Sequence, residues 1–285
     1  MKQVGLFVKQ DPAAQEKADE LADWFRARDI EVIRQESFQP RLGLENSRER
    51  RVDPEYITCV FVLGGDGTFL SASRWIGDAG VPMIGVKFGD IGFLAEISED
   101  AVFRAAEAVV SRQFAIESRA RLKVRIIRNG NPYVEETVLN DVVINKGALA
   151  RLANIETYID GHYLTSYRSD GLIVATPTGS TAYSLAAGGP VVHPAVEGIL
   201  VTPICPFTLT NRVLIVPGTS KIQIRLGEKA SDIVVTFDGQ QGLEIDGDDE
   251  IVIEKSRYPL ELIKLTGHNY FDILKAKLRW SGGRI

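Results

Sequence analysis

The stretch CVFVLGGDGTF, residues 59–69, decides the fold predicted for the first part of the chain. Its first five residues form a continuous apolar run, which is typical of a strand covered on both faces. A turn rich in glycine follows, and a helix is predicted from Thr68 to about Ile76. The stretch therefore indicates a strand–turn–helix unit.

Strands and helices alternate on both sides of this unit. Apolar runs at 4–8, 30–33 and 83–86 predict three further strands. The pair at 11–12 supplies an N-cap aspartate followed by proline at the first helical position, and 100–111 predicts another helix. The alternation predicts an α/β domain with a parallel, doubly wound sheet.

After about Arg119 the hydrophobic pattern changes. Leu122, Val124 and Ile126 alternate with charged residues, which is the period of a half-buried strand. Four pairs that end in glycine have the composition of type I′ hairpin turns. We therefore predict a β-rich, sandwich-like C-terminal domain. The four pairs are Asn129-Gly130, Asp160-Gly161, Asp238-Gly239 and Asp246-Gly247.

The length of 285 residues predicts about two domains, at roughly 150 residues each. The α/β domain is expected at residues 1–119 and the β-rich domain at 120–264. A helix predicted at 270–278 lies in a C-terminal segment, 265–285, that is expected to return to the α/β domain.

Composition excludes several classes of function. The net charge is −5 and the isoelectric point is near 5.4, so nucleic acid and anionic membrane surfaces are not the expected partners. Cys59 and Cys205 form no C-x-x-C pair, which excludes a metal finger and a dithiol redox motif. No apolar segment approaches the ~20 residues of a membrane span, and no signal peptide is visible. We expect a cytoplasmic protein.

The turn at 64–68 has the composition of a phosphate site. Backbone N–H groups that no side chain covers can surround a phosphate at a helix N-terminus. The turn is neither a Walker A loop nor a dinucleotide fingerprint, because Leu70 stands where the third glycine is required. Asp66 would repel a phosphate unless it binds a metal or accepts a proton from a hydroxyl nucleophile; the alternative is a tight turn with a capping aspartate. The candidate phosphate-binding residues are Gly64, Gly65, Gly67 and Thr68.

Two stretches of the second half carry unusual polar residues. Asn140-Asp141 lies between apolar runs, either as a bulge or buried turn or as an amide and a carboxylate offered to a nucleoside. Residues 176–190 are dense in hydroxyls and glycines, which suits close approach of backbone to a polar ligand, although a loop without a ligand is the alternative. No G-x-S-x-G motif supports a hydrolase nucleophile at Ser180.

Two charged clusters have simpler interpretations. Arg168 and Asp170 lie two residues apart, so on a strand they would share a face and form an ion pair. Residues 246–249 resemble a metal loop but lack the later glutamate of an EF-hand, which favours a charged hairpin turn.

Taken together and in order, the motifs at 64–70, 140–141, 176–190 and 238–240 resemble those of the bacterial NAD kinase family. The resemblance implies an α/β domain, a β-rich domain that binds NAD, and transfer of the γ-phosphoryl group of ATP to the 2′-hydroxyl of the adenosine ribose of NAD, giving NADP. It also implies a divalent metal, usually Mg²⁺, without assigning its ligands, and a homodimer or homotetramer.

The resemblance assigns roles residue by residue. Asp66 matches the proposed base, and Asn140-Asp141 matches the pair that contacts adenosine, with aspartate where many relatives carry glutamate. Phe93 belongs to a second glycine-containing loop, 85–93, and Tyr183 is available for stacking. The implied NAD contacts are Asp66, Gly67, Phe93, Asn140, Asp141, Arg151, Arg168, Asp170, Thr181, Ala182, Tyr183, Ser184, Leu185, Ala186 and Gln240.

Other families also use a GGDG-type turn. A lipid kinase would favour an apolar entrance, whereas 176–190 is polar, and a sugar-phosphate kinase would need clustered basic residues beside the motif. A nucleotide sensor without turnover is a further alternative, against which the presence of Asp66 argues.

Overall fold

The computed structural model describes residues 2–38, 41–43, 57–89, 92–147, 152–208, 210–227, 232–265 and 269–280. The chain divides into two units. One comprises Met1–Phe38, Arg50–Ser118 and Leu260–Ile285, and the other comprises Gln39–Glu49 and Arg119–Pro259. The domain boundaries at 1–119, 120–264 and 265–285 stay a prediction from the sequence.

The described residues form five α-helices, two short 3₁₀ turns and twenty strands. The helices are α1 (Pro12–Arg26), α2 (Asp66–Ile76), α3 (Val102–Val110), α4 (Tyr183–Ala186) and α5 (Tyr270–Leu278), and the 3₁₀ turns are Glu99–Ala101 and Thr178–Thr181. The strands are β1 (Gln3–Val8), β2 (Glu31–Glu36), β3 (Arg41–Leu42), β4 (Ile57–Leu63), β5 (Met83–Lys87), β6 (Ala95–Ser98), β7 (Ala115–Arg119), β8 (Leu122–Arg128), β9 (Asn131–Val138), β10 (Asp141–Lys146), β11 (Ala153–Ile159), β12 (His162–Ser169), β13 (Gly171–Ala175), β14 (Gly198–Ile204), β15 (Leu214–Pro217), β16 (Ile222–Leu226), β17 (Ile233–Phe237), β18 (Gln241–Ile245), β19 (Glu250–Lys255) and β20 (Leu260–Lys264).

The first unit is built on one sheet with the strand order β2-β1-β4-β5-β20-β7, and β6 pairs with β5. Strands β1, β2, β4, β5, β6 and β20 pair in parallel. β1 is buried along its whole length, and β4 is buried at every residue except Thr58. Burial of this kind is what parallel strands require, because helices cover both faces. The predicted α/β domain is confirmed.

Helix α1 begins as predicted. The Asp11 side chain accepts a hydrogen bond from the Ala14 N–H at 3.3 Å, and Pro12 occupies the first helical turn. The apolar residues of the helix, Ala14, Ala18, Leu21 and Phe25, are buried in the core of the first unit. The four-three-four spacing read from the sequence is therefore the buried face of the helix.

The second unit contains two sheets, with orders β15-β14-β13-β10-β17-β18-β3 and β12-β11-β16-β19-β8-β9. All pairs are antiparallel except β18 with β3. Alternate residues of both sheets, among them Val124, Ile144, Ile224 and Val235, fill one apolar core. The β-rich second domain is confirmed.

Three of the four predicted hairpin turns have positive φ at both residues, as type I′ requires. They join β8 to β9, β11 to β12 and β17 to β18. The prediction is wrong for Asp246-Gly247, where neither residue has a positive φ. That turn connects β18 to β19, which belong to different sheets, so no hairpin twist has to be matched.

The turn at 246–249 is held by an ion pair. Asp249, whose side chain is 1% exposed, accepts hydrogen bonds from Arg128 at 2.9 and 2.6 Å and from the Asp246 N–H at 2.9 Å. Its carboxylate is thus committed to protein donors, which agrees with the choice of a charged turn over a metal loop. In the described ranges no three His, Cys, Asp or Glu residues come together as a metal site.

The same described ranges contain no helix whose length and apolar character would let it cross a membrane.

We predict that Asp249→Asn lowers the free energy of unfolding at pH 7 by about 1.5–3 kcal/mol, because the variant loses hydrogen bonds between charged groups. Burial acts to raise the pKa of the Asp249 carboxyl, but hydrogen bonds from Arg128 and the Asp246 N–H outweigh it and lower the pKa. A lowered folded-state pKa contributes stability above the unfolded value of about 3.9, and this is lost as the pH falls through the folded pKa. Urea unfolding measured from pH 7 downwards checks the prediction.

The matched control is Asp248→Asn, at an exposed neighbour in the same turn. We expect it to change stability by less than about 0.5 kcal/mol. A stability deficit of Asp249→Asn that stays constant as the pH falls below about 4 would contradict the electrostatic explanation.

Candidate functional site

Asp66 is the first residue of α2 and lies directly after the turn that follows β4. Its Oδ2 accepts the Phe93 N–H at 2.9 Å, and its Oδ1 accepts the N–H groups of Leu94 at 3.0 Å and Ala95 at 3.3 Å. Three N–H donors fix the orientation of the carboxylate. The capping interpretation is wrong, because no side chain caps α2 and Asp66 bonds instead to a segment far along the chain.

Glycines permit this arrangement by close approach. A Cβ on Gly92 would lie 2.1 Å from Asp66 Oδ1, so a side chain there would displace the carboxylate. A Cβ on Gly85 would lie 2.6 Å from Ala95 Cα. Two glycines of the predicted second glycine loop are therefore closely packed, Gly92 against Asp66 and Gly85 against the segment that binds Asp66.

In the predicted phosphate turn, Gly64 contacts the sheet, whereas the residues after it lie at the start of α2. The Gly64 N–H donates to the Val86 carbonyl at 2.9 Å, and a Cβ on Gly64 would lie 2.4 Å from Thr68 Oγ1. Gly64 therefore joins the turn to the sheet. Gly65 is half-buried, Gly67 is exposed and Thr68 is buried. These residues lie at the first turn of α2, where an α-helix leaves N–H groups without intrahelical partners.

In the second unit, Asp238 holds the segment that contains Asn140 and Asp141. Its carboxylate accepts the N–H groups of Leu139 at 3.0 Å, Asn140 at 2.7 Å and Asp141 at 3.2 Å. The Asp238 N–H also donates to the Asp141 carbonyl at 2.9 Å. Sequence reasoning treated Asp238 as a turn residue and missed this role. The sequence showed only an acidic residue in a predicted type I′ turn, and its distance along the chain from residues 139–141 hid the contact.

The loop at 176–190 packs on the same segment. Thr176 donates its N–H to the Asn140 carbonyl at 2.8 Å and its hydroxyl to the Leu139 carbonyl at 2.6 Å. The Gly179 N–H in turn donates to the Thr176 hydroxyl at 3.0 Å, and a Cβ on Gly179 would lie 2.1 Å from the Asn140 carbonyl oxygen. The structure thus brings together two of the stretches that the sequence singled out.

Asp141 connects this segment to α4. Its side chain is buried, and the backbone N–H of Tyr183 favours its ionised form. Burial and the negative charge of Asp238 raise the pKa of Asp141 to about 7, against the opposing effect of that N–H. The Tyr183 ring is 44% exposed, and the half-buried Asn140 amide makes no hydrogen bond to the described residues. The arrangement presents an aromatic face and an amide to a ligand.

The hydroxyls of the loop hold the loop itself. Ser180 donates to the Pro177 carbonyl at 2.6 Å and accepts the Val192 N–H at 3.0 Å. The Ser184 hydroxyl lies 2.9 Å from that of Thr202. Both serines are buried and their hydroxyls bond within the protein, which gives no support to a nucleophile at Ser180.

The predicted ion pair between Arg168 and Asp170 is wrong. Asp170 binds Lys146 at 2.9 Å, and the Arg168 guanidinium lies 4.8 Å from the centre of the Phe207 ring. The reason is that β12 ends at Ser169, so Asp170 lies in the turn before β13 and does not share a strand face with Arg168.

The other predicted contacts are Gln240, Arg151 and four residues of the loop at 176–190. Gln240 closes the turn at 238–239, with its N–H donating to the Phe237 carbonyl at 3.0 Å. Arg151 lies outside the described residues. Thr181, Ala182 and Leu185 are half-buried, and Ala186 is exposed.

Comparison with known proteins matches both units. Residues 4–114 match the family model for the ATP-NAD kinase N-terminal domain, and residues 139–265 match that for the ATP-NAD kinase C-terminal domain. The NAD kinase of Desulfatibacillum aliphaticivorans is 52% identical over 285 residues, covering 100% of both chains. That of Geotalea daltonii is 41% identical over 281 residues, covering 98% of this chain and 99% of the relative.

Two solved structures are also similar. Yeast NADH kinase complexed with NADH has a TM-score of 0.83 and 28% identity, covering 99% of this chain and 88% of that chain. An NAD kinase from Archaeoglobus fulgidus in complex with ATP has a TM-score of 0.74 and 25% identity, covering 98% of this chain and 99% of that chain.

We predict that Gly179→Ala lowers the free energy of unfolding by about 1–3 kcal/mol, because the added methyl meets backbone that has no room to move. Gly65→Ala is the control, since Gly65 has a φ of −91° and open space at its Cβ position. Its effect on stability should stay below about 1 kcal/mol. Urea unfolding compares the two, and equal effects would contradict the close approach of Gly179 to Asn140.

Proposed function

The chain belongs to the ATP-NAD kinase family and has NAD kinase activity, and we propose how its described residues carry out that reaction. The reaction transfers the γ-phosphoryl group of ATP to the 2′-hydroxyl of the adenosine ribose of NAD and gives NADP. The observation that carries the proposal is the fixed carboxylate of Asp66 at the first turn of α2.

Asp66 is the proposed proton acceptor for the attacking hydroxyl. Phosphoryl transfer depends mainly on positioning and charge stabilisation, and general-base assistance adds to both. The N–H groups of residues 93–95 hold the carboxylate in one orientation, and a carboxylate can accept the proton of a hydroxyl. Its Oδ2 accepts only the Phe93 N–H among the described residues, so this oxygen keeps a lone pair for the hydroxyl.

The first turn of α2 is the proposed site for the phosphates of ATP. Helix N-termini favour anions because their N–H groups and the helix dipole point outwards. Gly65, Gly67 and Thr68 supply backbone without a large side chain at this end, while Gly64 holds the turn to the sheet. Support from a relative comes from the Archaeoglobus fulgidus NAD kinase, which was solved in complex with ATP.

The segment 139–141 and the loop at 176–190 are the proposed NAD site. The Asn140 amide can donate to and accept from an adenine edge, and the exposed Tyr183 ring offers a face for stacking. The further contacts proposed from the family resemblance are Gly67, Phe93, Asp141, Arg151, Arg168, Asp170, Thr181, Ala182, Ser184, Leu185, Ala186 and Gln240. The yeast relative complexed with NADH supports a dinucleotide as ligand.

A divalent metal is proposed as part of the ATP substrate. The described residues offer no group of three His, Cys, Asp or Glu side chains, so they do not fit a resident metal cage. Mg²⁺ is commonly held by substrate phosphates, water and one or two carboxylates, where it neutralises phosphate charge.

We also propose, from the family resemblance, a homodimer or homotetramer in the cytoplasm. The acidic net charge of −5 supports small-molecule partners over nucleic acid.

We predict that Asp66→Asn lowers kcat by about 10²- to 10⁴-fold, the usual contribution of a general base. The dissociation constant for NAD should change little, because the proposed NAD site is built mainly from the second unit. NADP formation from NAD, ATP and Mg²⁺ measures turnover, and calorimetry measures NAD binding.

Asp11→Asn is the matched control, since Asp11 also lies at a helix N-terminus of the first unit. It should leave turnover unchanged. Normal turnover in Asp66→Asn would remove Asp66 from the mechanism, and NAD binding without NADP formation by the unaltered protein would indicate a nucleotide sensor.

A further inference from the structure

Asp238 is a buried carboxylate to which the proposed mechanism gives no part. Its side chain lies in the turn between β17 and β18 and the residue is 6% exposed. Its backbone has a φ of 51°, a left-handed conformation that aspartate and asparagine tolerate better than most residues. Burial of a charged group is costly unless hydrogen bonds compensate it.

Three hydrogen bonds to this carboxylate come from one segment. Asp238 Oδ1 accepts the N–H groups of Asn140 and Asp141 at 2.7 and 3.2 Å, and Oδ2 accepts that of Leu139 at 3.0 Å. Three successive N–H groups that converge on one carboxylate fix the backbone of a bend that would otherwise leave them unsatisfied. The directions of the Asn140 and Asp141 side chains follow from that backbone.

We propose that Asp238 is a positioning residue for NAD, which fixes the bend at 139–141 and so orients the Asn140 amide and the Asp141 carboxylate toward the dinucleotide. This inference rests on the proposed NAD site and adds to it a residue that acts through others.

The charge of Asp238 also acts on Asp141. Burial and that charge together raise the pKa of Asp141 to about 7. Among the described residues, two groups act on the Asp141 carboxyl: Asp238 in the β17–β18 turn, through its charge, and Tyr183 in α4, through its backbone N–H. That N–H favours ionised Asp141, and protonation removes the charge that it stabilises. The orientation of this site is therefore expected to depend on pH near neutrality.

Asp238→Asn is the first test. Asparagine adopts a positive φ readily, so the turn is preserved, but its amide nitrogen cannot accept an N–H and its charge is zero. We expect the KM for NAD at about pH 8 to rise about tenfold or more, while the KM for ATP stays within about twofold.

The pH profile supplies a readout that a purely structural role would not change. kcat/KM for NAD should fall as the pH drops through the pKa of Asp141. Removal of the neighbouring negative charge lowers that pKa, so in Asp238→Asn the acid limb should move to lower pH.

Asp160→Asn is the matched control. Asp160 occupies the same position of another type I′ turn, with a φ of 52°, is exposed, and accepts the Lys221 N–H at 2.7 Å. This control should leave both KM values and the pH profile unchanged. Equal loss of NAD and ATP affinity in Asp238→Asn, or an acid limb that does not move, would overturn the proposal.

If Asp238→Asn does not fold, Asp141→Asn tests the same coupling from the other side. The acid limb of kcat/KM for NAD should then disappear, and a limb that persists with its midpoint unchanged would overturn the proposal. Formation of NADP by the unaltered protein is measured alongside, so failure of this inference is distinguishable from failure of the proposed function.

Discussion

A carboxylate that accepts three successive backbone N–H groups holds the candidate site of each unit. Asp66 does this with residues 93–95, and Asp238 does it with residues 139–141. In both cases one oxygen accepts two N–H groups and the other accepts one. Each set of hydrogen bonds joins a turn to the start of a strand, which is β6 for Asp66 and β10 for Asp238. Converging N–H groups of this kind need an anion or another strong acceptor. The remaining site geometry depends on these two contacts.

The small residues near both carboxylates follow from this constraint. A Cβ on Gly92 or on Gly179 would lie 2.1 Å from its neighbour, which is Asp66 Oδ1 in the first unit and the Asn140 carbonyl oxygen in the second. Glycine is required in these loops because backbone or carboxylate occupies the space of a side chain. The serine hydroxyls of 176–190 have a related use, since Ser180 and Ser184 are buried and bond within the protein.

Local patterns predicted the fold, and long-range contacts limited the prediction of the site. Apolar runs and alternation identified both kinds of domain because burial acts residue by residue along a strand. The predicted ion pair between Arg168 and Asp170 was wrong because β12 ends at Ser169, so the two residues do not lie on one strand. The role of Asp238 could not be read from spacing, since its three partners lie 97 to 99 residues away. Asp66 was identified by composition, but its partners near residue 94 were not.

Exposure separates the two carboxylates in function. Asp66 is half-buried beside the exposed Gly67, so a reacting hydroxyl can reach an oxygen whose orientation is already fixed. Asp238 is 6% exposed and lies next to a second carboxylate, that of Asp141. Two neighbouring buried acidic groups cannot both ionise without cost, and burial together with the charge of Asp238 raises the pKa of Asp141. The difference in exposure therefore agrees with the roles proposed above, a base at the half-buried position and a positioning residue at the buried one.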